Sequence, residues 1–435
     1  MVEKARFEET QRFIEAIRQR TERGVSVTME GIETGLIQAL FADGRVLLGQ
    51  LLSQMPVEND VSRHGEECQG LRSRRVQTLL GPIEIRRRYY HDSQMKRCRV
   101  PLDDALGLTD GYSPGLARLM CWAAGQCDSY EDASQTLQRC ARLDVDARQI
   151  QRMANQMAPL LEKQMDQPSQ FPPETAVPVM YVSMDGTGVP MVAPELEGRV
   201  GKQPDGSAKT REVKLGCVFT QHHVDEQGHP WRDLDSTTYV ASFETAADFG
   251  QRLQREALRR NLPQAGKVIV LGDGALWIWD QAKTHFPQAV QILDFYHACE
   301  HLKILAQELE PTDSQASQAL FDRWRDCLLH DQLDTIVADS IARLPRSGPH
   351  REEADRQLSY LESNRLRMQY ATFRARGWFI GSGVIEAGCK TVIGKRLKQS
   401  GMFWSLPGAH NVLTLRCAYA SRRFDHAWDQ LPLAA

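Results

Sequence analysis

Three carboxylates in the sequence have surroundings suited to metal-dependent chemistry. Asp185 follows the apolar run VPVMYVSM, Asp273 follows KVIVLG, and Glu386 lies among small and apolar residues in GSGVIEAGCK. Acids at the ends of adjacent strands meet in a crevice at the edge of a sheet. Three of them supply hard oxygen ligands for two Mg²⁺ ions. Mn²⁺ is expected to be able to substitute for Mg²⁺ at such a site. Such an ion pair, about 3.5–4 Å apart, activates the attacking oxygen and stabilises the leaving oxygen in phosphodiester chemistry. We therefore predict these three acids as catalytic residues and metal ligands.

Each acid also has a purely structural interpretation. Asp-Gly is a common hairpin-turn dipeptide, so Asp185 and Asp273 fit simple turns. Glu386 precedes Lys390 by four residues, the favourable order for a surface ion pair on a helix. However, both Asp-Gly pairs follow β-forming runs without a matching return strand. The segment after Asp273, ALWIWDQAKTHF, has a helical pattern instead. The catalytic interpretation is therefore favoured.

The order of predicted elements around the acids is that of an RNase H-like core. Strands are predicted up to Asp185, at 213–221 and at 237–243. A helix in ETAADFGQRLQREALRRN, the strand KVIVLG and a further strand at 289–297 follow them. Charge-rich helical patterns then occupy residues 298–375, which we interpret as an all-helical insertion before the helix with Glu386.

Two basic segments and one pair of helices have features typical of DNA binding. Residues 72–99 hold nine basic and two acidic side chains, and residues 386–423 hold seven basic and one acidic. Alternating apolar and basic residues at 75–100 predict a basic hairpin. Two helices joined by a short turn at 143–145, with Asp146 as N-cap, predict a helix-turn-helix at 128–157. A solvated charged face and an ordinary helical hairpin remain the alternatives.

The fold class is therefore multidomain α+β: a helical and helix-turn-helix N-terminal region, then an RNase H-like α/β core interrupted by an all-helical insertion. The predicted domains are an N-terminal helical region (1–74), the basic β-hairpin (75–110), the helix-turn-helix region (111–166), a linker (167–178), the first part of the core (179–297), the insertion (298–375) and the C-terminal helices of the core (376–435).

Composition is that of a soluble cytoplasmic protein of several domains. The chain has 435 residues, of which 42% are hydrophobic and 25% charged, with a net charge of −3. No run of about 18 apolar residues and no signal-peptide core is present, so no membrane association is expected. The ten cysteines are scattered without a C-x-x-C motif. They are expected to be buried, reduced thiols rather than zinc ligands or disulfides.

Four strings together resemble the ISKra-type bacterial insertion-sequence transposases, relatives of the Mutator group: SMDGTGVP, LGDGALWIW, DFYHACEHL and GSGVIEAGCKTVIGKRLKQSGMFWS. The resemblance covers most of the chain and implies that Asp185, Asp273 and Glu386 form a D-D-E triad. Asp294 and His297 match a D-x-x-H element of Mutator-like relatives. An active-site role for His297 and a structural one stay open. Many relatives carry a Cys-x-x-Cys after the Tyr-Tyr of the basic hairpin, where this chain has His91-Asp92 and a solitary Cys98, so no structural zinc is expected.

The resemblance implies a DNA transposase that binds the terminal inverted repeats of its element, cuts DNA and joins the 3′-OH to target DNA. A homodimer on double-stranded DNA, associated with the nucleoid, is expected. Two rival classes are another RNase H-like nuclease and a domesticated, catalytically silent DNA-binding protein. Trp404 is a candidate for stacking on a base, with a core position as the alternative. The predicted DNA-binding residues are Arg86, Arg87, Arg88, Arg148, Gln149, Arg152, Lys390, Lys395, Arg396 and Lys398.

Overall fold

The structure is a computed structural model that describes residues 7–57, 60–167, 176–201, 203–204 and 206–431. Most of the predicted linker lies outside these residues. The chain divides into two compact units, one of residues 1–161 with 426–435 and one of residues 162–425. This division differs from the predicted boundaries. The first unit ends inside a helix, and the last ten residues group with it rather than with the predicted catalytic core.

The first unit contains a three-stranded antiparallel sheet and helices on both sides of it in sequence. The elements are α1 (Glu8–Glu22), α2 (Met29–Gln54), β1 (Glu66–Thr78), β2 (Gly81–Asp92), β3 (Arg97–Arg99), α3 (Pro101–Ala105), α4 (Pro114–Gln126), α5 (Tyr130–Ala141) and α6 (Ala147–Met165). A small core joins strand and helix residues, with Val76, Ile83, Ile85 and Leu102 buried.

The basic hairpin begins earlier than the sequence predicts. Strand β1 starts at Glu66, nine residues before the predicted start at 75, and pairs with β2 up to a turn at residues 79–80. The register shifts between Cys68 and Leu71. Nearly every side chain from 66 to 73 is exposed, so the alternation of apolar and polar residues that marks a half-buried strand is absent there.

Helix α2 is the one described helix long and apolar enough to cross a membrane, judged by length and composition alone. A polar side chain of α2 also bonds to the preceding helix, α1. The carboxylate of Asp43 is 4% exposed and accepts hydrogen bonds from the backbone N–H groups of Glu9 and Thr10 and from the Thr10 hydroxyl. A buried acid bonded in this way ties α2 to α1.

Helices α5 and α6 occupy the predicted helix-turn-helix segment. Arg142 takes a left-handed conformation after α5, and the N–H of Gln149 donates to the Asp146 carboxylate at 2.8 Å. In return, the backbone N–H of Asp146 donates to Oε1 of Gln149 at 2.9 Å. This reciprocal pair is a capping box with Asp in place of the usual Ser or Thr, so Asp146 does cap α6. The sequence predicts that this helix turns Ala147, Ile150, Ala154 and Met157 toward a core. Ile150, Ala154 and Met157 are buried, whereas Ala147 is only half-buried.

The second unit is built on a mixed five-stranded sheet. Its strand and helix order is β4 (Val177–Pro190), β5 (Thr210–Gln221), the short ribbon of β6 (His223–Val224) and β7 (Pro230–Trp231), β8 (Thr238–Ser242), α7 (Ala246–Arg259), β9 (Ala265–Gly272), α8 (Leu276–His285) and β10 (Val290–Leu293). The spatial order is β10-β9-β4-β5-β8. Strands β9 and β10 run parallel to β4, whereas β5 is antiparallel to both β4 and β8.

Two strands differ from their predicted bounds. Strand β4 does not end at Asp185 but continues to Pro190, because β5 pairs with it from Val179 to Pro190. Strand β10 ends at Leu293 rather than 297. Asp294 caps the next helix there by accepting a hydrogen bond from the N–H of His297 at 2.6 Å. An Asp before a helical run is a common N-cap, so Asp294 was a signal that the strand predicted to reach 297 ends before it.

Helices make up the rest of the second unit. They are α9 (Phe295–Leu309), α10 (Ser314–Leu329), α11 (Leu333–Arg343), α12 (Pro349–Ser363), α13 (Tyr370–Ala375), α14 (Gly383–Gly388), α15 (Lys395–Leu397), α16 (Leu406–Ala420) and α17 (Phe424–Asp429). A π-helical turn, Cys389–Gly394, continues α14 into α15. Helices α9 to α13 occupy the predicted insertion, and α17 spans the division between the units.

Candidate active site

Asp185 and Asp273 lie near the paired ends of two adjacent parallel strands, β4 and β9. The pairing of β4 with β9 joins Ser183 to Leu271, and the Ser183 hydroxyl donates to the Leu271 carbonyl at 2.8 Å. Asp185 follows Ser183 by two residues within β4, and Asp273 follows Leu271 by two residues, directly after the end of β9.

The Asp185 carboxylate is half-buried and has two close donors. The thiol of Cys389 donates to Oδ2 at 3.1 Å, and the N–H of Gly186 donates to Oδ1 at 2.6 Å. Burial raises the pKa of Asp185, and the negative charges of Asp273 and Glu386 add to the rise, while the hydrogen bond from Cys389 opposes it. The negative charges of both other acids therefore disfavour the ionised form of the Asp185 carboxyl group.

Glu386 reaches this region because α14 packs closely on the sheet. A Cβ at Gly388 would lie 2.6 Å from the ring of Tyr239 and 3.0 Å from Leu215, the cross-strand partner of Asp185. Cys389, which contacts Asp185, is three residues after Glu386 and therefore on the same side of the helical segment. Glu386 itself is exposed and accepts a hydrogen bond from the Ser382 hydroxyl at 2.9 Å. The side chain of Glu386 therefore bonds to Ser382, four residues before it in the sequence.

The donor set is chemically suited to Mg²⁺, but the side chains do not enclose an ion. Three carboxylates are hard oxygen donors. The pKa of Asp185 is raised first by burial and then by the charges of Asp273 and Glu386, and a bound cation would oppose all of these effects. Within the described ranges, no group of three or more His, Cys, Asp or Glu side chains is arranged to hold a metal ion. Binding of an ion by Asp185, Asp273 and Glu386 would therefore require their side chains to move closer together.

The loop after Asp273 is held by the helical insertion. The hydroxyl of Tyr360, on α12, donates to the backbone carbonyl of Asp273 at 3.1 Å. Gly274 has a φ of +96°, and a Cβ there would lie 2.0 Å from the same hydroxyl. Both the backbone conformation and the close contact require glycine at this position. The insertion thus contributes directly to the shape of the acid-bearing loop.

One basic side chain lies beside the acids. The ammonium group of Lys398 hydrogen-bonds to the hydroxyl of Thr187, which is two residues after Asp185 and on the same face of β4. Lys398 is exposed, and its positive charge also acts on the Cys389 thiol. A cation at this position can meet a phosphate that approaches the carboxylates.

Sequence comparison assigns the chain to a family. The model of the Uncharacterised protein family (UPF0236) matches residues 20–422. The chain belongs to this family. No curated protein matches the chain.

Among solved structures, the UPF0236 chain is similar to one described as the Drosophila P element transposase strand transfer complex. The alignment has 9% sequence identity and covers 73% of this chain and 81% of that one, with a TM-score of 0.27.

Arg396 is not available to DNA as predicted. Only 1% of the residue is exposed, and its guanidinium lies 4.9 Å from the ring centre of Trp404. Trp404 is 8% exposed, and its backbone bonds to Pro190 and Val192, so the core interpretation holds for this tryptophan. Lys390 and Lys395 are exposed and remain predicted phosphate contacts.

The three consecutive arginines of β2 divide between the two faces of the hairpin. Arg86 and Arg88 are exposed on one face. Arg87 points to the other face, where its side chain is only 10% exposed and forms an ion pair with Asp103 at 2.8 Å. Arg87 is therefore corrected from a DNA contact to a structural residue, because its charge is already neutralised within the unit.

On α6, the predicted base-reading residues differ in their availability. Arg148 and Arg152 are exposed, and the guanidinium of Arg152 lies 3.8 Å from the carboxylate of Asp110. Gln149 is half-buried, and its side-chain oxygen belongs to the capping box with Asp146. A contact between Gln149 and a base would therefore compete with the start of its own helix.

His297 lies in the first turn of α9, beside a cluster of rings. Its Nδ1 is 3.3 Å from Glu300, and its ring centre lies 5.0 Å from that of His301 and 6.4 Å from that of Tyr360. Tyr360 stacks on His301 with ring centres 3.6 Å apart. His297 therefore adjoins the residue that holds the Asp273 carbonyl, and its own catalytic role stays a prediction.

Sequence reasoning missed several residues of the site. Cys389 and Ser382 flank Glu386 at spacings of three and four residues, so helical periodicity alone marks them as its neighbours. Tyr360 has no such signal, since it lies 87 residues from Asp273. The cysteines were expected to be buried, but Cys68, Cys98 and Cys140 are exposed, and none of the described cysteines forms a disulfide.

Proposed function

We propose that this UPF0236 chain is a DNA transposase of an insertion sequence, with Asp185, Asp273 and Glu386 as its catalytic acids. The observation that carries the proposal is the hydrogen bond from the Cys389 thiol to Asp185, which brings the helix of Glu386 to that acid. Asp273 directly follows β9, the parallel neighbour of the strand that carries Asp185. The chain order of three antiparallel strands, a helix and two parallel strands supports an RNase H-like core.

The three carboxylates would hold Mg²⁺ or Mn²⁺. When bound, the ions supply activation of the attacking oxygen and stabilisation of the leaving oxygen. The residues of the chain bring the DNA to that point. Lys398, beside Thr187, is placed to hold a phosphate next to Asp185. Lys390 and Lys395, on the segment after Glu386, extend the basic surface around it. Water first attacks the DNA at the element end, and the 3′-OH released then attacks target DNA.

The first unit would hold the element DNA. The exposed Arg86 and Arg88 of the hairpin are suited to phosphates, and Arg148 and Arg152 share one side of α6 and are suited to base edges. We include in the proposal a homodimer bound to the terminal inverted repeats and a cytoplasmic, nucleoid-associated location.

The decisive experiment incubates purified protein with the element ends that flank its own gene, in the presence of Mg²⁺, and maps nicks at nucleotide resolution. Cleavage at the ends that releases a 3′-OH is expected. Asp185→Ala, Asp273→Ala and Glu386→Ala should each abolish cleavage while retaining specific binding.

Asp280→Ala is a matched control, because this acid is exposed on α8 in the same unit. It should cleave as the wild type does. Specific binding without cleavage by the wild type would favour the silent DNA-binding protein instead. Cleavage without preference for element ends would favour another nuclease.

A further inference from the structure

A buried carboxylate next to the site joins the segments that carry the second and third acids. Asp294 is 2% exposed. Its backbone N–H donates to the carbonyl of Gly272, the residue before Asp273, at 2.8 Å. Its Oδ2 accepts from the N–H of Ser382 at 2.5 Å, and its Oδ1 accepts from the N–H of His297 at 2.6 Å. One residue thus connects β9, the start of α9 and the start of the helix of Glu386.

The connection continues to the third acid through a side chain. Ser382 is 6% exposed, and its hydroxyl donates to Oε1 of Glu386 at 2.9 Å. The neighbouring backbone reinforces the junction, since the N–H of Phe295 donates to the carbonyl of Ile380 at 2.9 Å. Two carboxylates 92 positions apart in sequence therefore share one serine, one through its backbone and one through its hydroxyl.

We propose that Asp294 is a positioning residue that sets Glu386 relative to Asp273 by way of Ser382. The inference rests on the proposed function, because it assigns a role within the same acid site. Asp294 does not itself face the ion or the DNA. It holds the start of α14 at the end of β9, and the Ser382 hydroxyl then selects one orientation of the Glu386 carboxylate. Hydrogen-bonding partners of metal ligands act in this way in metal sites generally.

Both oxygens of the Asp294 carboxyl group are used by its contacts. Both of its oxygens accept a backbone N–H, and an asparagine offers only one such oxygen. Asp294→Asn therefore sacrifices either the cap of α9 or the bond to Ser382 with little change in volume. Ser382→Ala is narrower, because it keeps the backbone N–H bonded to Asp294 and removes only the hydroxyl bonded to Glu386.

The test compares these two variants with matched controls in the helical insertion. Asp313→Ala removes the N-cap of α10, which accepts two backbone N–H groups as Asp294 does. Ser340→Ala removes a buried hydroxyl that bonds four residues away, to the Ile336 carbonyl. For all four, the measurements are the melting temperature, Mn²⁺ binding to DNA-free protein by electron paramagnetic resonance, the affinity for element DNA, and kcat and KM for end cleavage at varied Mg²⁺.

Asp294→Asn and Ser382→Ala should lower Mn²⁺ affinity or kcat by about 10–100-fold, with unchanged affinity for DNA. Raised Mg²⁺ should restore part of the rate. The two control variants should retain the wild-type Mn²⁺ affinity and the wild-type kcat. If Asp294→Asn fails to fold, Ser382→Ala alone decides.

Wild-type values of Mn²⁺ affinity and kcat in Ser382→Ala, with a cleaving wild type, would overturn the positioning role alone. A wild type that binds Mn²⁺ without cutting DNA would overturn the proposed function, and the Mn²⁺ affinities of the variants would then decide the positioning role. A wild type that does neither would overturn both.

Discussion

The guanidinium of Arg396 lies over the ring of Trp404, whereas Lys398, two residues later, is exposed beside Thr187. Both residues belong to the same basic run, and both were predicted to bind phosphates. Their surroundings separate the two roles, because a buried cation stacked on an aromatic ring contributes to packing and an exposed cation attracts an anion.

Arg396→Ala should therefore lower the free energy of unfolding by about 2–4 kcal/mol, since a large buried side chain is lost from a packed site. Lys398→Ala should change it by less than about 0.5 kcal/mol, as is usual for exposed positions. Urea unfolding of both variants checks the difference. Lys398→Ala should in turn reduce end cleavage, while folded Arg396→Ala retains DNA affinity. Equal stability of the two variants would contradict the structural role of Arg396.

At the scale of elements, the hairpin offers a test of its two faces. Arg88→Ala removes an exposed cation, so it should weaken binding to all DNA sequences alike and reduce the salt-dependence slope by about 1. Arg87→Ala should leave that slope unchanged but destabilise the first unit by about 1–3 kcal/mol, because Asp103 keeps only Arg74 as an ionic partner. Binding isotherms across salt concentrations and urea unfolding give both quantities.

The alternation of the strand makes each arginine the control for the other. They are adjacent in sequence and identical in type, but they lie on opposite faces. Arg87 forms a buried ion pair with Asp103 at 2.8 Å, whereas Arg88 is exposed and lies 3.6 Å from Asp60. A loss of salt slope in Arg87→Ala equal to that in Arg88→Ala would show that the ion pair with Asp103 opens on DNA.

Gln149 allows the capping and reading roles of helix α6 to be separated. Gln149→Ala removes the capping-box oxygen and should cost about 1 kcal/mol, whereas Gln149→Glu keeps an acceptor at the same place and should preserve stability. Both changes remove the amide that pairs with adenine. If the residue reads a base, both variants should narrow the affinity gap between element ends and scrambled duplexes, measured at several salt concentrations. A gap that stays wild-type in Gln149→Glu would assign Gln149 to capping alone.

At the scale of the whole molecule, the proposed roles fall in different compact units. The hairpin and α5–α6 belong to residues 1–161, and the three acids belong to residues 162–425. Changes at distant sites without shared partners are additive in free energy. The double variant Arg88→Ala/Asp273→Asn should therefore bind DNA as Arg88→Ala does and cleave no better than Asp273→Asn.

Fluorescence anisotropy for binding and a gel assay for nicks measure the two functions separately. Single Asp273→Asn with strongly reduced affinity for element DNA would contradict the division of labour, because it would give the acid a part in holding DNA. The neighbouring exposed Asp280→Asn controls for a general change of charge.

The sequence by itself determined the local features of this protein. Runs of β-formers located β4, β5, β8 and β9, helical periodicity located the insertion, and Asp146 was recognisable as a cap. These features depend on neighbours within a few residues, through backbone sterics, periodicity and capping. Where the local pattern was weak, as at the exposed start of β1, the boundary was wrong.

Only the tertiary structure decided which local features meet. Two contacts leave no mark in the local pattern. They are the contact of Cys389 with Asp185 across 204 residues and the hydrogen bond that Ser382 donates to Asp294 across 88 residues. The burial of Arg396 and Arg87 likewise depends on partners brought up by other elements. Such contacts follow from the packing of whole elements, and a residue type alone does not reveal which side of an element faces its neighbour.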